Sequence, residues 1–280
     1  MRIHIEHETV FSYSQPVREA IGEARLRPRD DAGQRLLGFR LALDPHAPAD
    51  PVSDRFGNII HCYSVLPAHR RLVVTATSEV ETSAAALSAA PALTPLEQHS
   101  FTAASQYAPF TDDLLAFARA VTPADADDPE TTARALAGAI YASCAYEPGS
   151  TDISTTADAV LAGRRGVCQD FAHLLIALCR GLGMPARYVS GYLYDADKPA
   201  DAILASHAWT EVYLNGRGWL GLDPTHDRAT GALYTRVAIG RDYADAAPVR
   251  GIYQGDAKET LEVRVRMRAV EQEPIVSKGF

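Results

Sequence analysis

The sequence predicts an α+β chain of two domains, on three observations. Residues 1–82 read as closely spaced β-strands punctuated by turn residues, the pattern of a small β-sandwich. An Ala/Ser/Pro-rich stretch, 83–97, breaks that pattern and reads as a linker. Residues 98–280 then carry capped helices followed by strands, around one helix apolar on nearly every face and so expected at the centre of its domain. With 280 residues, 47% of them apolar, the chain can bury an ample core.

Taken in order, Ile3, Ile5 and Val10 to Tyr13 open the first strand, and Leu36 to Leu43 form a second. Asp54-Arg55-Phe56-Gly57-Asn58 is a turn leading into a strand over Ile59 to Val65, and Arg71 to Glu81 is a further β-branched run. Thr111 caps a helix through Leu114, Leu115, Ala118 and Val121. Asp128-Pro129 opens another, with Leu136, Ile140 and Tyr141 along one side. Ser154 or Thr155 begins a short helix through Val160 and Leu161. The apolar helix runs from about Cys168 to Gly181 or Gly183, where Gly183-Met184-Pro185 stops it. Phe171, Leu174, Leu175, Leu178 and Leu182 form one face, while Ala172, Ile176 and Cys179 make the other side apolar too.

Strands return over Ala186 to Tyr194, Ser206 to Leu214 and Gly218 to Leu222, with Asn215-Gly216 as a hairpin turn. A hairpin centred on residue 215 brings His207 and Asp223 to the same end, although a one-residue slip would turn every side chain to the other face. Thr260 to Arg268 alternates Leu261, Val263, Val265 and Met267 with charged neighbours, as a half-exposed edge strand does.

The formal net charge of −8 argues against nucleic acid or an anionic membrane as the main partner. Residues 1–80 are balanced, so the acidic excess lies in the remainder. Cys62, Cys144, Cys168 and Cys179 lack zinc-knuckle spacing and are too few for a disulfide framework. The first residues do not read as a signal peptide, and no segment approaches a membrane span. A reducing cytoplasm, a free thiol and no metal or cofactor are therefore expected.

Cys168 stands in Gly166-Val167-Cys168-Gln169-Asp170, at the start of the apolar helix. Unpaired N–H groups and the positive end of the helix dipole favour thiolate there. His207 and Asp223 supply an imidazole and a carboxylate further along, so the chain carries a nucleophile, a proton carrier and an orienting acid for covalent acyl transfer. Each residue alone has a plainer reading: a small buried hydrophobe, a core histidine, an ordinary Asp-Pro turn. The backbone N–H of Cys168 would hold an oxyanion, and Gly166 would let substrate approach the thiol. Tyr146, Gln169 and Trp209 are expected to line the oxyanion or substrate region, with filling of the core as the alternative for the two aromatics. Cys179 and His173 read as packing, and His226 and Asp227 as partners of second rank. Gly163-Arg164-Arg165 reads as a solvated turn, with a carboxylate clamp as the sharper alternative.

The stretch from Gly166 to Tyr192 resembles the bacterial transglutaminase-like proteins of the papain-like cysteine protease superfamily. Ser206-His207-Ala208-Trp209 and Gly218-Trp219-Leu220-Gly221-Leu222-Asp223-Pro224-Thr225 are similar to its histidine and aspartate blocks. Asp54-Arg55-Phe56-Gly57-Asn58 is similar to the N-terminal β domain that often precedes the core, and Gly240-Arg241-Asp242-Tyr243-Ala244-Asp245 with Pro248-Val249-Arg250-Gly251 to the family's tail. The resemblance implies a cysteine helix packed on an antiparallel sheet, with Cys168 as nucleophile, His207 as base and acid, and Asp223 as orienter. It implies a thioester acyl-enzyme acting on a peptide or protein amide, with peptidase or amidase chemistry expected over cross-linking. Some animal relatives use calcium, but no acidic loop of that kind is present, so no metal is expected. A non-catalytic scaffold of the same fold is the alternative reading. An arylamine acetyltransferase-type enzyme shares the residue order but would need a coenzyme pocket that the sequence does not indicate.

Overall fold

The computed structural model describes residues 1–31, 33–84, 91–122, 128–199 and 201–270. The first domain is organised by one long strand, β1 (Arg2–Ala24). Its pairing shifts between Ser12 and Val17, and Glu19 takes a left-handed conformation at φ 49°. The strand therefore passes through two sheets. β2 (Gln34–Asp44), β3 (Ala49–Ser53), β4 (Ile59–Val65) and β5 (His69–Thr82) follow, with β5 on the first half of β1 and β4 on the second. Phe11, Val17, Leu43, Tyr63, Val65 and Leu72 from both sheets close the core between them. β3 was not legible: Pro51 and four exposed side chains suit an edge strand with no apolar face.

The second domain begins earlier than its predicted boundary. α1 (Pro95–Thr102) starts inside the expected 83–97 linker, because Thr94 and Glu97 form a reciprocal capping box. Residues 85–90 of that linker lie outside the described residues. α2 (Asp112–Val121) and α3 (Pro129–Ser143) start where Thr111 and Asp128 cap them. Leu136 and Ile140 are buried, whereas Tyr141 is exposed, since the residue after Ile140 turns about 100° off the buried stripe. β6 (Ala145–Tyr146) precedes α4 (Ala157–Gly163), which begins later than expected because Ser154 instead closes a turn on the Asp152 carboxylate. β7 (Arg165–Gly166) pairs in parallel with β6 and leads into α5 (Cys168–Gly181).

Beyond Gly183, in the left-handed region at φ 78°, come β8 (Ala186–Leu193), β9 (His207–Leu214), β10 (Gly218–Asp223), β11 (Arg228–Ala229) and β12 (Tyr234–Gly240). They form an antiparallel sheet in the order β11-β10-β9-β8-β12. α5 packs across this sheet, with Leu174, Leu175 and Leu178 buried alongside Val212, Leu220 and Leu136. The expected α+β architecture, a buried cysteine helix on an antiparallel sheet, is thus observed.

The tail departs from the expected division. After α6 (Tyr243–Ala246), β13 (Val249–Gln254) and β14 (Glu259–Ala269) return to pair with the second and first halves of β1. The last strands, expected within a 98–280 domain, belong by their hydrogen bonds to the N-terminal sandwich. Its sheets run β2-β5-β1-β14 and β3-β4-β1-β13. The alternation of Val265 and Met267 serves this sheet, burying both against Ile3 and Ile5.

The domains meet through an apolar cluster, in which Ile3, Ile5, Val80 and Val265 pack with Tyr192 and Val237, and through polar groups. The Asn58 amide accepts the Ile239 N–H at 2.9 Å and donates to its carbonyl at 2.7 Å, extending β12 like a further strand. Glu211, buried, binds Arg187 and Arg236, and burial is outweighed by those two cations, which hold its carboxyl below the usual range. Arg236 also pairs with Asp31 of the first domain. His7 bonds Tyr192 Oη at 2.9 Å and Thr9 Oγ1 at 3.0 Å, and burial lowers its pKa to about 4. Buried His173 is lowered to about 3 for the same reason. Below pH 6.5 the unfolded chain therefore takes up protons that the folded chain refuses, so stability falls on acidification down to those values. Each histidine contributes up to about 1.4 kcal/mol per pH unit in that window. His7→Gln should flatten the fall in melting temperature between pH 6.5 and 4.5, and an unchanged slope would refute the assignment.

Candidate active site

Cys168 opens α5, half-buried, on a first turn whose N–H groups have no helical partners. Asp170, one turn in, fixes the approach to it. Its Oδ2 accepts the Val167 N–H at 2.8 Å and the Thr151 hydroxyl at 2.6 Å. Burial raises the Asp170 pKa although both bonds pull the other way. A Cβ on Gly166 would fall 2.7 Å from that oxygen and 2.8 Å from the Asp170 Cβ. The glycine thus makes room for Asp170, not for a substrate as its place before the thiol suggested. Sequence reasoning missed Asp170; an acid three residues after the N-cap position is the signal that could have found it.

The β9–β10 hairpin settles the other two groups. Leu214 pairs with Gly218 and Thr210 with Leu222, so the loop is Asn215–Arg217 and its centre lies at residue 216, one beyond the expected 215. Moving the centre by one residue moves the pairing by two, and an even shift keeps side chains on the same face. His207 and Asp223 become diagonal neighbours, and His207 Nε2 lies 2.8 Å from Asp223 Oδ2. With Nε2 engaged by the carboxylate, Nδ1 is the remaining ring nitrogen, and the Cys168 side chain lies near enough to help raise the ring's pKa.

Asp223 is wholly buried, and its Oδ2 also receives His226 Nδ1 and Tyr234 Oη, each at 2.8 Å, while Oδ1 accepts the Thr225 N–H at 2.9 Å. Burial alone would raise its pKa, but the bonds from His207, Tyr234 and His226 drive it well below the carboxylate range. Burial likewise opposes a charge on His207, yet the bond to Asp223 and the nearby Cys168 win, and its pKa rises to about 9. The ring is therefore an imidazolium at neutral pH. Tyr234, which also accepts from Arg228 Nε, left no motif in the sequence. His207, Asp223 and His226 bring donor atoms within 4.8 Å of one another, but both rings direct their facing nitrogens to the same carboxylate oxygen.

The lining residues divide. Tyr146, 55% exposed, is drawn beside Gly166 by the β6–β7 pair, and its hydroxyl pKa is raised by burial and by the nearby Cys168 charge. Gln169 is half-buried on the first turn. Trp209 is fully buried, nearly parallel to His207 at 6.2 Å and edge-on to Tyr234 at 5.3 Å. It packs behind the imidazole and does not line a cleft, because Gly191 admits its ring where a Cβ would lie 2.6 Å away. His173 accepts the Tyr243 N–H and stacks on Tyr107 at 5.1 Å, and buried Cys179 is raised to about 12 by burial; both are packing groups. Arg164 ends α4 in the left-handed region and lies over the Phe117 ring at 4.8 Å. Asp227 does not join the carboxylate cluster, unlike His226.

Residues 116–224 match the transglutaminase-like superfamily, and residues 3–81 match the bacterial transglutaminase-like N-terminal region. An uncharacterised protein of Mycobacterium tuberculosis is 38% identical over 288 residues, covering 94% of this chain and 91% of that one. The chain belongs to the transglutaminase-like superfamily. A solved structure from Cytophaga hutchinsonii, described as a candidate cysteine protease, overlays this transglutaminase-like chain with a TM-score of 0.78 at 26% identity, covering 98% of it and 93% of that structure. A protein-glutamine gamma-glutamyltransferase of Pseudomonas aeruginosa is 30% identical over 119 residues, covering 39% of this chain and 18% of that enzyme. Fold and family together support a cysteine-dependent activity.

Proposed function

We propose that the protein is a cysteine amidase or peptidase working through a thioester, with Cys168, His207 and Asp223 as its catalytic triad. The observation that carries this reading is the His207 imidazole bonded through Nε2 to the buried Asp223 carboxylate at 2.8 Å, with the Cys168 side chain near enough to help raise the ring's pKa. The ring is placed to exchange a proton with the thiol and with the leaving amine. Thiolate attack on an amide carbonyl gives a tetrahedral oxyanion, which the Cys168 N–H faces; the Val167 N–H is already taken by Asp170. Collapse expels the amine, which takes the proton from His207 and leaves the thioester. Water then loses a proton to the same ring and releases the acid. Hydrolysis is preferred to transfer because water is always present, whereas transfer demands a dedicated amine site that is not evident among the described residues. We place the enzyme in a reducing compartment such as the cytoplasm, a reading supported by four unpaired cysteines.

The test is acyl trapping. Incubation with a peptide amide library and acid quenching should leave an acyl mass on the peptide containing Cys168, removed by hydroxylamine. Amine release without that adduct, under conditions where a thioester standard survives, would count against the mechanism.

A further inference from the structure

The two family-like segments outside the triad blocks, Asp54–Asn58 and the tail around Asp245 and Arg250, come together at the seam between the domains. There Arg25, Arg55 and Arg250 line a cavity of about 330 Å³ with Phe56 and Ala244. The Arg25 side chain is only 4% exposed, and just one of its nitrogens, Nη2, is bonded, to Glu23 at 2.9 Å. Its Nε and Nη1 are buried with no partner among the described residues. Buried guanidinium hydrogens left unmet are costly, so this group calls for an acceptor.

The surrounding acids do not supply one. Glu23 Oε2 is shared between Arg25 and Arg250, Asp245 is held by Arg241 through both oxygens, and Asp54 accepts the N–H groups of Phe56 and Asn58 and the Asn58 amide. Arg55 lies over the Phe56 ring at 4.5 Å, with only a 3.7 Å approach to Asp245. Among the residues that line the cavity, three guanidinium groups (Arg25, Arg55, Arg250) face two carboxylates (Asp54, Asp245), an excess of one positive charge.

We propose that this seam is a carboxylate-binding site, taking one singly charged group such as an acidic side chain or chain terminus of a peptide. Arg55 and Arg250 provide the accessible donors and Arg25 a buried charge behind them, and the single excess charge matches a carboxylate better than a phosphate dianion. The site is independent of the thiol chemistry.

The experiment titrates N-acetylglycine into wild type and into Cys168→Ala at fixed ionic strength, with binding followed by calorimetry. N-acetylglycinamide is the neutral control and inorganic phosphate the competing oxyanion. Saturable binding of N-acetylglycine in both proteins, absent for the amide, is expected. Arg55→Gln, an exposed position, should weaken it roughly tenfold or more, as loss of a charge-assisted pair would. Arg25→Gln is the second variant, used if its melting profile shows it folded. No saturable binding, an affinity unchanged in Arg55→Gln, or a preference for phosphate would each overturn the assignment. Acyl trapping at Cys168 is unaffected by any of these results.

Discussion

Cys168→Ala is expected to reduce amine release from amide substrates by about 10⁴-fold or more, to the level of the residual binding site. The size of the loss follows from the mechanism. A thioester route splits one difficult step into two, and without the sulfur neither exists. The side chain is only half-buried at the first turn of α5, so the variant should keep its fold. Alkylation by iodoacetamide at position 168, read on the peptide that contains it, should disappear, while Cys179, fully buried and raised to about 12, stays unreactive in both proteins. Equal turnover in the variant would remove the sulfur from the chemistry.

Asp223→Asn should cost about 10²- to 10⁴-fold in kcat, the range in which an imidazole loses its orienting acid. The pH dependence separates this from a general disturbance. His207 is charged below about 9 because Asp223 and Cys168 hold its proton against burial. Activity that needs the imidazolium is therefore present below that value and lost as pH rises through it. The asparagine removes the negative charge and leaves burial unopposed on that side, so the alkaline limb of the pH–rate profile should move to lower pH. Tyr234 and His226, which also point at Asp223 Oδ2, would keep only a neutral acceptor. A limb that stays near pH 9 in the variant would show that the carboxylate does not set the charge of the ring.

Much of this site was legible because it is built from local rules. Cys168 at a helix start, Thr111 and Asp128 as caps, and the Asn215-Gly216 hairpin each depend on a few neighbouring residues. What escaped depends on partners distant in sequence. Tyr234 reaches Asp223 from another strand, Asp170 meets Thr151 from across a loop, and Asn58 docks on Ile239. Trp209 shares the strand alternation of His207, but periodicity alone could not show that Gly191 opens the interior behind the ring. The tail misled for a similar reason: its alternation declared a half-buried strand without saying whose sheet it would complete.

That return of β13 and β14 to β1 makes the second domain an insertion within the first. A ribosome releasing the chain from its N-terminus would present β1 with one flank bare until the final strands emerge. Residues 1–82 alone should consequently be prone to aggregate, their interior sealed only once β14 lies against residues 3–13. The same closure brings the two ends of the described fold together, with the Val270 N–H on the Arg2 carbonyl at 2.9 Å. A circular permutant joined there and opened at an exposed loop should retain the native sheet order.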